Sequence, residues 1–249
     1  MTKISAVIIT LNEEENIERC LSSIADIVDE IIVLDSFSSD STEEICRSFN
    51  VNFYQKEFID YSSAKNYANS LSKYDYILSI DADEEISPEL KRTIQKERGQ
   101  LTFDGYYVNR RTNYCGQWIR YCGWYPDRKL RLWKRSKGNW SGIVHETLEM
   151  SSSNTKLLAG DLLHYSYPTV ESHFKRINHF STLSANELFL QGKKSSVFKM
   201  IINPMAKFIK KYFLQLGILE GYYGLTICTL SAYSTFFKYA KLMALTKNE

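Results

Sequence analysis

The chain has 249 residues, 44% hydrophobic and 24% charged, with four prolines and eleven glycines, which excludes a disordered, collagenous or low-complexity polypeptide. Its five cysteines (20, 46, 115, 122 and 228) include no CxxC pair, which argues against a zinc ribbon or a disulfide framework and for a reducing compartment. The net charge of +2 conceals an asymmetry: residues 191–249 hold nine lysines against Glu220 and Glu249, a net +7, which leaves −5 on residues 1–190.

The length suits one substantial domain, expected over residues 1–190, followed by a basic, apolar helical tail over 191–249. Met1-Thr2-Lys3 leads straight into a β-branched apolar run at 4–10, so the first element is expected to be a buried strand rather than a secretory leader. Asn12, with Glu15 three residues on, reads as a helix N-cap and its capping-box partner, followed by apolar residues at helical spacing. Strands are expected at 30–34, 51–54 and 76–80, and helices from Thr42, over 62–73 and from Ser87-Pro88. Strictly alternating strands and helices imply an α/β fold with an open, mostly parallel sheet. The segment 104–165 changes character. It is aromatic and basic, with strands expected at 105–110 and 129–134, a long link between them, and a helix to follow over 170–190.

Such sheets bind ligands beyond the carboxyl ends of their strands. Polar residues gather there: Thr10-Leu11-Asn12-Glu13, Asp35-Ser36 and Asp81-Ala82-Asp83. Asp81 and Asp83, two hard oxygen donors at i and i+2 beyond a buried strand, suit Mg²⁺ or Mn²⁺ bound together with a diphosphate. There is neither a GxxxxGK[ST] nor a GxGxxG motif, so the phosphates would be held by the metal and by side chains, Lys65 and Arg131 being the candidates.

The runs Ile8-Ile9-Thr10-Leu11-Asn12-Glu13-Glu14, Val33-Leu34-Asp35-Ser36-Phe37-Ser38-Ser39-Asp40, Lys65-Asn66 and Asp81-Ala82-Asp83-Glu84 resemble the family 2 glycosyltransferases of the GT-A fold. Gly123-Trp124-Tyr125-Pro126, Arg131-Leu132-Trp133, Val144-His145-Glu146 and His164-Tyr165-Ser166-Tyr167 are similar to the branch of bacterial lipopolysaccharide-core β-glucosyltransferases. The resemblance implies that Thr10, Asn12, Glu13 and Asp35 surround the nucleoside of a nucleotide-sugar donor, a UDP-sugar in first place. It implies further that Lys65 and Asn66 lie near the ribose and diphosphate, Asp81 near ribose and metal, and Asp83 on the metal, with His164 completing the coordination. Glu146 is the expected general base of an inverting transfer, and Asp127 is the runner-up.

The acceptor is expected to be a glycolipid. Six lysines and no acidic residue over 188–219, followed by an apolar stretch at 213–237, point to the anionic inner face of the cytoplasmic membrane and a peripheral association there. Over 197–212 a cationic amphipathic helix is expected, bent or interrupted at Pro204, and over 213–237 two short helices in the interfacial plane. A tail packed on the domain or forming a homodimer contact is the alternative, with a soluble or protein acceptor. A non-catalytic nucleotide- or carbohydrate-binding module is a further alternative. A nucleic-acid partner is not expected, because the cleft is acidic.

Overall fold

The structure is a computed structural model and describes residues 1–142 and 146–247. The chain divides into two compact units, residues 1–110 with 127–165, and residues 111–126 with 166–249. This division differs from the expected break near residue 190. The helix over 170–190 groups with the tail helices because its buried residues pack among them.

The first unit starts with β1 (Ile4–Thr10), α1 (Ile17–Ile24), β2 (Glu30–Asp35), α2 (Thr42–Ser48), β3 (Asn52–Gln55), α3 (Tyr61–Ser70) and β4 (Tyr76–Ser79). It continues through β5 (Glu84–Ile86), α4 (Pro88–Glu97), β6 (Gly105–Tyr114), β7 (Gln117–Trp118), β8 (Asp127–Lys134), β9 (Gly138–Ser141), β10 (Thr147–Met150) and β11 (Thr155–Tyr167). The last residues of β6 and β11, and all of β7, belong to the second unit. The strand order is β3-β2-β1-β4-β8-β6-β11-β5. The four strands β3-β2-β1-β4 are parallel, as the alternating pattern requires, and β4 meets β8 antiparallel.

Strand residues point alternately to the two faces, and the burial follows that alternation. Ile4, Ala6, Ile8, Ile31, Val33 and Leu78 share one core with Ile17, Cys20, Leu21 and Ile24 of α1 and Leu90 and Ile94 of α4. Val7, Ile32, Leu34 and Ile77 form the other with Ala68 of α3, Trp133 and Trp140. Helices therefore cover both faces, and each fully buried Leu or Ile contributes about 1.5–3 kcal/mol. Trp133 and Trp140 belong to this core.

Two local expectations are corrected. Asn12 is not an N-cap: it adopts the left-handed conformation with φ 55°, and α1 begins only at Ile17 after Asn16. Its amide carbonyl accepts the N–H of Ser39 at 2.8 Å while its own N–H donates to Ser38 Oγ at 2.8 Å. Asn tolerates that conformation better than most residues, and here cross-loop hydrogen bonds hold it. The second correction concerns residues 213–237, which are not two short helices.

The second unit contains α5 (Val170–Leu190), α6 (Val197–Ile209) and α7 (Gly221–Lys247), with a wide π-type turn at Lys210–Leu214 and a 3-10 turn at Gly217–Glu220. The helix over 170–190 begins at a Thr169 cap reciprocated by Ser172, as the capping rule requires. Pro204 lies within α6. Gly224 has a packing role. A Cβ on Gly224 would stand 1.8 Å from the carbonyl oxygen of Gly217, so one long helix can pass against the preceding turn only with glycine there. α7 packs on α5 and α6. Its Ile227 and Cys228 close a core with Tyr114, Ile119 and Cys122. Lys241 Nζ reaches Asn178 O and Oδ1, Ser181 Oγ and Thr182 Oγ1 at 2.7–2.9 Å, joining α7 to α5.

Candidate active site

Parallel pairing brings the ends of β1 and β2 together, with Thr10 opposite Asp35 and Asp35 opposite Gln55 of β3. Asp35 is fully buried and accepts from Ser38 N at 2.9 Å, Ser38 Oγ at 2.5 Å and Gln55 Nε2 at 3.2 Å. Its carboxylate thus builds the loop that carries Ser38 and Ser39, and those serines in turn grip Asn12. Glu13 N donates to the buried Thr42 Oγ1 at 2.8 Å, and its carboxylate accepts from Asn16 at 2.8 Å. Thr10 Oγ1 is buried and has no hydrogen-bond partner among the described residues. A buried, unsatisfied hydroxyl at a strand end is the kind of group a ligand completes.

Beyond β4 the carboxylates and cations alternate. Lys65, on α3 and 4% exposed at its side chain, lies 3.0 Å from Asp81 Oδ1 and 3.4 Å from Glu146 Oε1. Its ammonium also stands 4.5 Å from the centre of the Trp140 ring, an attractive placement over an aromatic face. Arg131 Nη2, from β8, reaches Asp81 Oδ2 at 2.6 Å and the fully buried Glu84 Oε1 at 2.5 Å. Glu84 also accepts the N–H of Asp81 at 3.0 Å and lies 3.5 Å from Arg110 Nη1. Arg110 then holds Asp127 Oδ2 through Nε at 3.0 Å and Nη2 at 2.8 Å, and Lys129 reaches Asp127 Oδ1 at 3.3 Å. Buried charges persist only when paired, and each one here has its counterion. Burial alone would raise the Asp81 pKa, but the Arg131 guanidinium and the Lys65 ammonium outweigh it and hold the carboxyl well below its usual range. Burial likewise disfavours the charged Arg131, and Asp81 and Glu84 more than offset it, keeping the guanidinium charged.

Asp83 faces His164, with Oδ2 3.2 Å from Nε2 of an imidazole carried by β11. The pairing of β11 with β5 places His164 opposite Glu84, so the sheet itself delivers the histidine to the Asp81–Asp83 turn. His164 Nδ1 is buried without a hydrogen-bond partner among the described residues. No group of three or more potential metal ligands occurs among the described residues. Asp83 and His164 form a pair, while Asp81 is occupied by its two cations. A carboxylate and an imidazole still fit a divalent cation of the Mg²⁺ or Mn²⁺ kind, because such ions commonly take one or two protein ligands and complete their shell with phosphate oxygens and water.

Asn66 is turned to a structural purpose: Nδ2 donates to Trp140 O at 2.8 Å, and Oδ1 accepts Trp140 N at 2.9 Å. It thereby clamps β9, the strand that precedes Glu146. Val144 and His145 lie outside the described residues. The site includes two residues to which the sequence assigned no role, Glu84 and Arg110. Glu84 stands inside the Asp-Ala-Asp-Glu run, but two of its three partners, Arg110 and Arg131, come from strands distant in sequence.

The family model for glycosyl transferase family 2 matches residues 5–147, more than half of the chain. The chain belongs to this family. Its α/β core is of the GT-A type. An uncharacterised glycosyltransferase of Rickettsia typhi is 30% identical over 257 residues, covering 98% of this chain and 88% of the relative. The lipopolysaccharide core biosynthesis glycosyltransferase LpsC of Rhizobium meliloti is 28% identical over 243 residues, 92% of this chain and 85% of its own. Among solved structures, a glucosyl-3-phosphoglycerate synthase from Mycobacterium tuberculosis in complex with Mn²⁺, UDP and glucosyl-3-phosphoglycerate aligns with a TM-score of 0.41 at 21% identity. That alignment covers 54% of this chain and 57% of the other. This family 2 glycosyltransferase therefore resembles the two relatives along nearly its whole length, including the second unit.

Proposed function

We propose that this glycosyltransferase moves a sugar with inversion, and with a divalent metal, from a nucleotide-sugar donor, a UDP-sugar in first place, to a glycolipid acceptor of lipopolysaccharide core or another surface glycan. The observation that carries the reading is the position of Lys65, bonded at once to Asp81, the carboxylate expected beside the donor, and to Glu146, the carboxylate expected to act as base. The similarity to LpsC supports the acceptor class.

Glu146 takes the proton from the acceptor hydroxyl as its oxygen bonds to C1 of the sugar, and the C1–O bond to the nucleoside diphosphate breaks with the electron pair leaving on the diphosphate. Both oxygens of Asp127 are already engaged by Arg110 and Lys129, whereas Glu146 pairs among the described residues with Lys65 through Oε1. That contrast favours Glu146. Asp83 and His164 would hold Mg²⁺ or Mn²⁺. When bound, the metal would offset the negative charge that develops on the leaving diphosphate. Asp81 and Arg131 order the turn that presents Asp83, and Lys65 adds positive charge near the diphosphate. Thr10, Asn12, Glu13 and Asp35 form the nucleoside end, where the unpartnered Thr10 hydroxyl is available as a hydrogen-bond group. Asn66 positions the strand before Glu146.

The work is placed at the inner face of the cytoplasmic membrane, where the enzyme associates peripherally. No helix among the described residues is long and apolar enough to cross a membrane. Screening UDP-, GDP- and dTDP-sugars for thermal stabilisation and hydrolysis, with and without Mn²⁺, tests the donor and metal assignments. Stabilisation by one base series only when metal is present is the expected result. Equal behaviour with and without metal would overturn the metal-dependent reading.

A further inference from the structure

α6 is amphipathic in the wrong direction for a core helix. Phe198, Ile201, Ile202, Met205 and Ile209 recur at i, i+3, i+4, i+7 and i+11 and so share one face. In a globular unit that stripe turns inward. Here all five are exposed, from 41% at Ile202 to 71% at Phe198, and the helix has no fully buried residue. It packs on α7 at one edge of that stripe, where Phe208 joins the core around Cys122 and Ile227. The stripe continues into Phe213 and Leu214, both exposed.

The charges on this helix are of one sign, with Lys199 and Lys210 bordering the stripe and Lys207 on the face opposite it. Lys199, Lys207 and Lys210 are exposed, and none has a carboxylate partner among the described residues. Between Glu187 and Glu220 no acidic residue occurs. Lys211 is set apart from this group, its Nζ directed inward to the carbonyl oxygen of Cys122.

We propose that this face of α6 is a docking surface for an anionic lipid bilayer, with the helix lying in the interfacial plane. The aromatic and aliphatic side chains enter the boundary of headgroups and acyl chains, while the flanking lysines meet lipid phosphates. Charge complementarity selects the bilayer, because a second copy would bring a lysine-bordered stripe against its own like charges. The inference deepens the membrane-face placement proposed above and rests on it for its purpose. It is read by vesicle binding rather than sugar transfer, so its failure and that of the catalytic reading are separable.

The test is co-sedimentation of full-length protein with vesicles of phosphatidylcholine alone or mixed with increasing phosphatidylglycerol. Three proteins are compared: wild type, Ile201→Asp with Met205→Asp, and Lys199→Gln with Lys207→Gln and Lys210→Gln. Each is checked by thermal melting and by light-scattering mass. Wild-type binding should rise with phosphatidylglycerol and fall with salt. At about fivefold in affinity per lysine near such a surface, the triple variant should lose about a hundredfold at low salt. The double Asp variant should lose binding in every mixture while melting as wild type does. Equal binding by all three proteins, or binding indifferent to lipid charge, overturns the proposal. So does an Asp variant that dissociates a dimer without changing vesicle binding, which would make the stripe a contact between copies.

Discussion

Lys65 Nζ lies 3.4 Å from Oε1 of Glu146, a residue 81 positions away in the sequence. The contact ties α3 to the segment expected to supply the base, and the side chain of Lys65 is almost wholly shielded from water. Its second partner is Asp81 at 3.0 Å, so the lysine divides its charge between two carboxylates.

Glu146→Gln should bind nucleotide sugar about as wild type does and transfer it about 10²–10⁴-fold more slowly, the contribution of a positioned general base. The amide keeps the shape and removes the proton acceptor. Single-turnover rates beside donor titrations separate the two effects. If Glu146→Gln turns over normally and Asp127→Asn does not, the base is Asp127.

Asp83→Ala should lose metal-dependent donor binding while melting close to wild type, because Asp83 lies on a turn and buries little apolar surface. Calorimetric titration of nucleotide sugar, with Mn²⁺ and then with chelator, measures it. Retention of the metal dependence would remove Asp83 from the coordination shell.

Glu84→Gln removes the negative charge that faces Arg131 at 2.5 Å and Arg110 at 3.5 Å. Taking one partner from a buried ion pair costs about 3–5 kcal/mol, and the amide retains part of the hydrogen bonding, so a loss of about 3 kcal/mol is expected in urea unfolding. Donor affinity should fall as well, since Asp81 N–H loses a charged acceptor. An unchanged midpoint would mean that Asp81 alone satisfies Arg131.

His173 is buried beside Tyr114, with Nδ1 3.2 Å from the phenol oxygen, and burial lowers its pKa to about 4 from 6.5. The unfolded chain therefore binds the proton more readily between those two values. Stability should be complete above pH 6.5 and decline as pH falls toward 4, by up to about 3 kcal/mol. A plot of melting midpoint against pH should be flatter over this window for His173→Gln, and parallel plots would remove His173 as the cause.

Gly224→Ala places a methyl group where only 1.8 Å separates it from Gly217 O, so α7 must shift. A loss of at least about 1–3 kcal/mol is expected, from overpacking against backbone. Gly116→Ala, where nothing lies within 4 Å of an added Cβ but φ is +88°, controls for conformational strain without collision.

The parallel nucleus was legible because its strands are continuous apolar runs and its helices carry periodic ones. The helix over 170–190 was legible from the apolar spacing of Phe174, Ile177 and Leu188, and in the structure Thr169 and Ser172 cap it. Asp81 and Asp83 stood out from their position after a fourth strand. Glu84 and Arg110 did not, because an ion-pair network acquires meaning only once β5, β6 and β8 are gathered into one sheet, and no local pattern encodes that assembly. Asn12 misled for a related reason. A cap and a left-handed loop residue draw on the same side-chain chemistry, and Ser38 and Ser39, more than twenty residues away, decide between them. The apolar stretch over 213–237 was read as two short helices because a glycine such as Gly224, which in the structure lets α7 approach the preceding turn closely, looks in one dimension like a helix breaker.

The interleaved course of the chain bears on how the molecule is made. Residues 111–126 leave the ribosome early, yet Ile119 and Cys122 enclose their core only with Ile227 and Cys228, and Arg120 N waits for Glu220, 100 residues later. The first unit is complete in sequence at Tyr165, so its sheet can close while this segment still exposes Tyr114, Ile119 and Cys122. During that interval the nascent chain carries an unfilled apolar patch, and a polypeptide stopped near residue 190 would carry it permanently. Synthesis of α7 is then the event that ends the vulnerable period, and a premature stop codon anywhere before it should yield a chaperone client rather than a smaller enzyme.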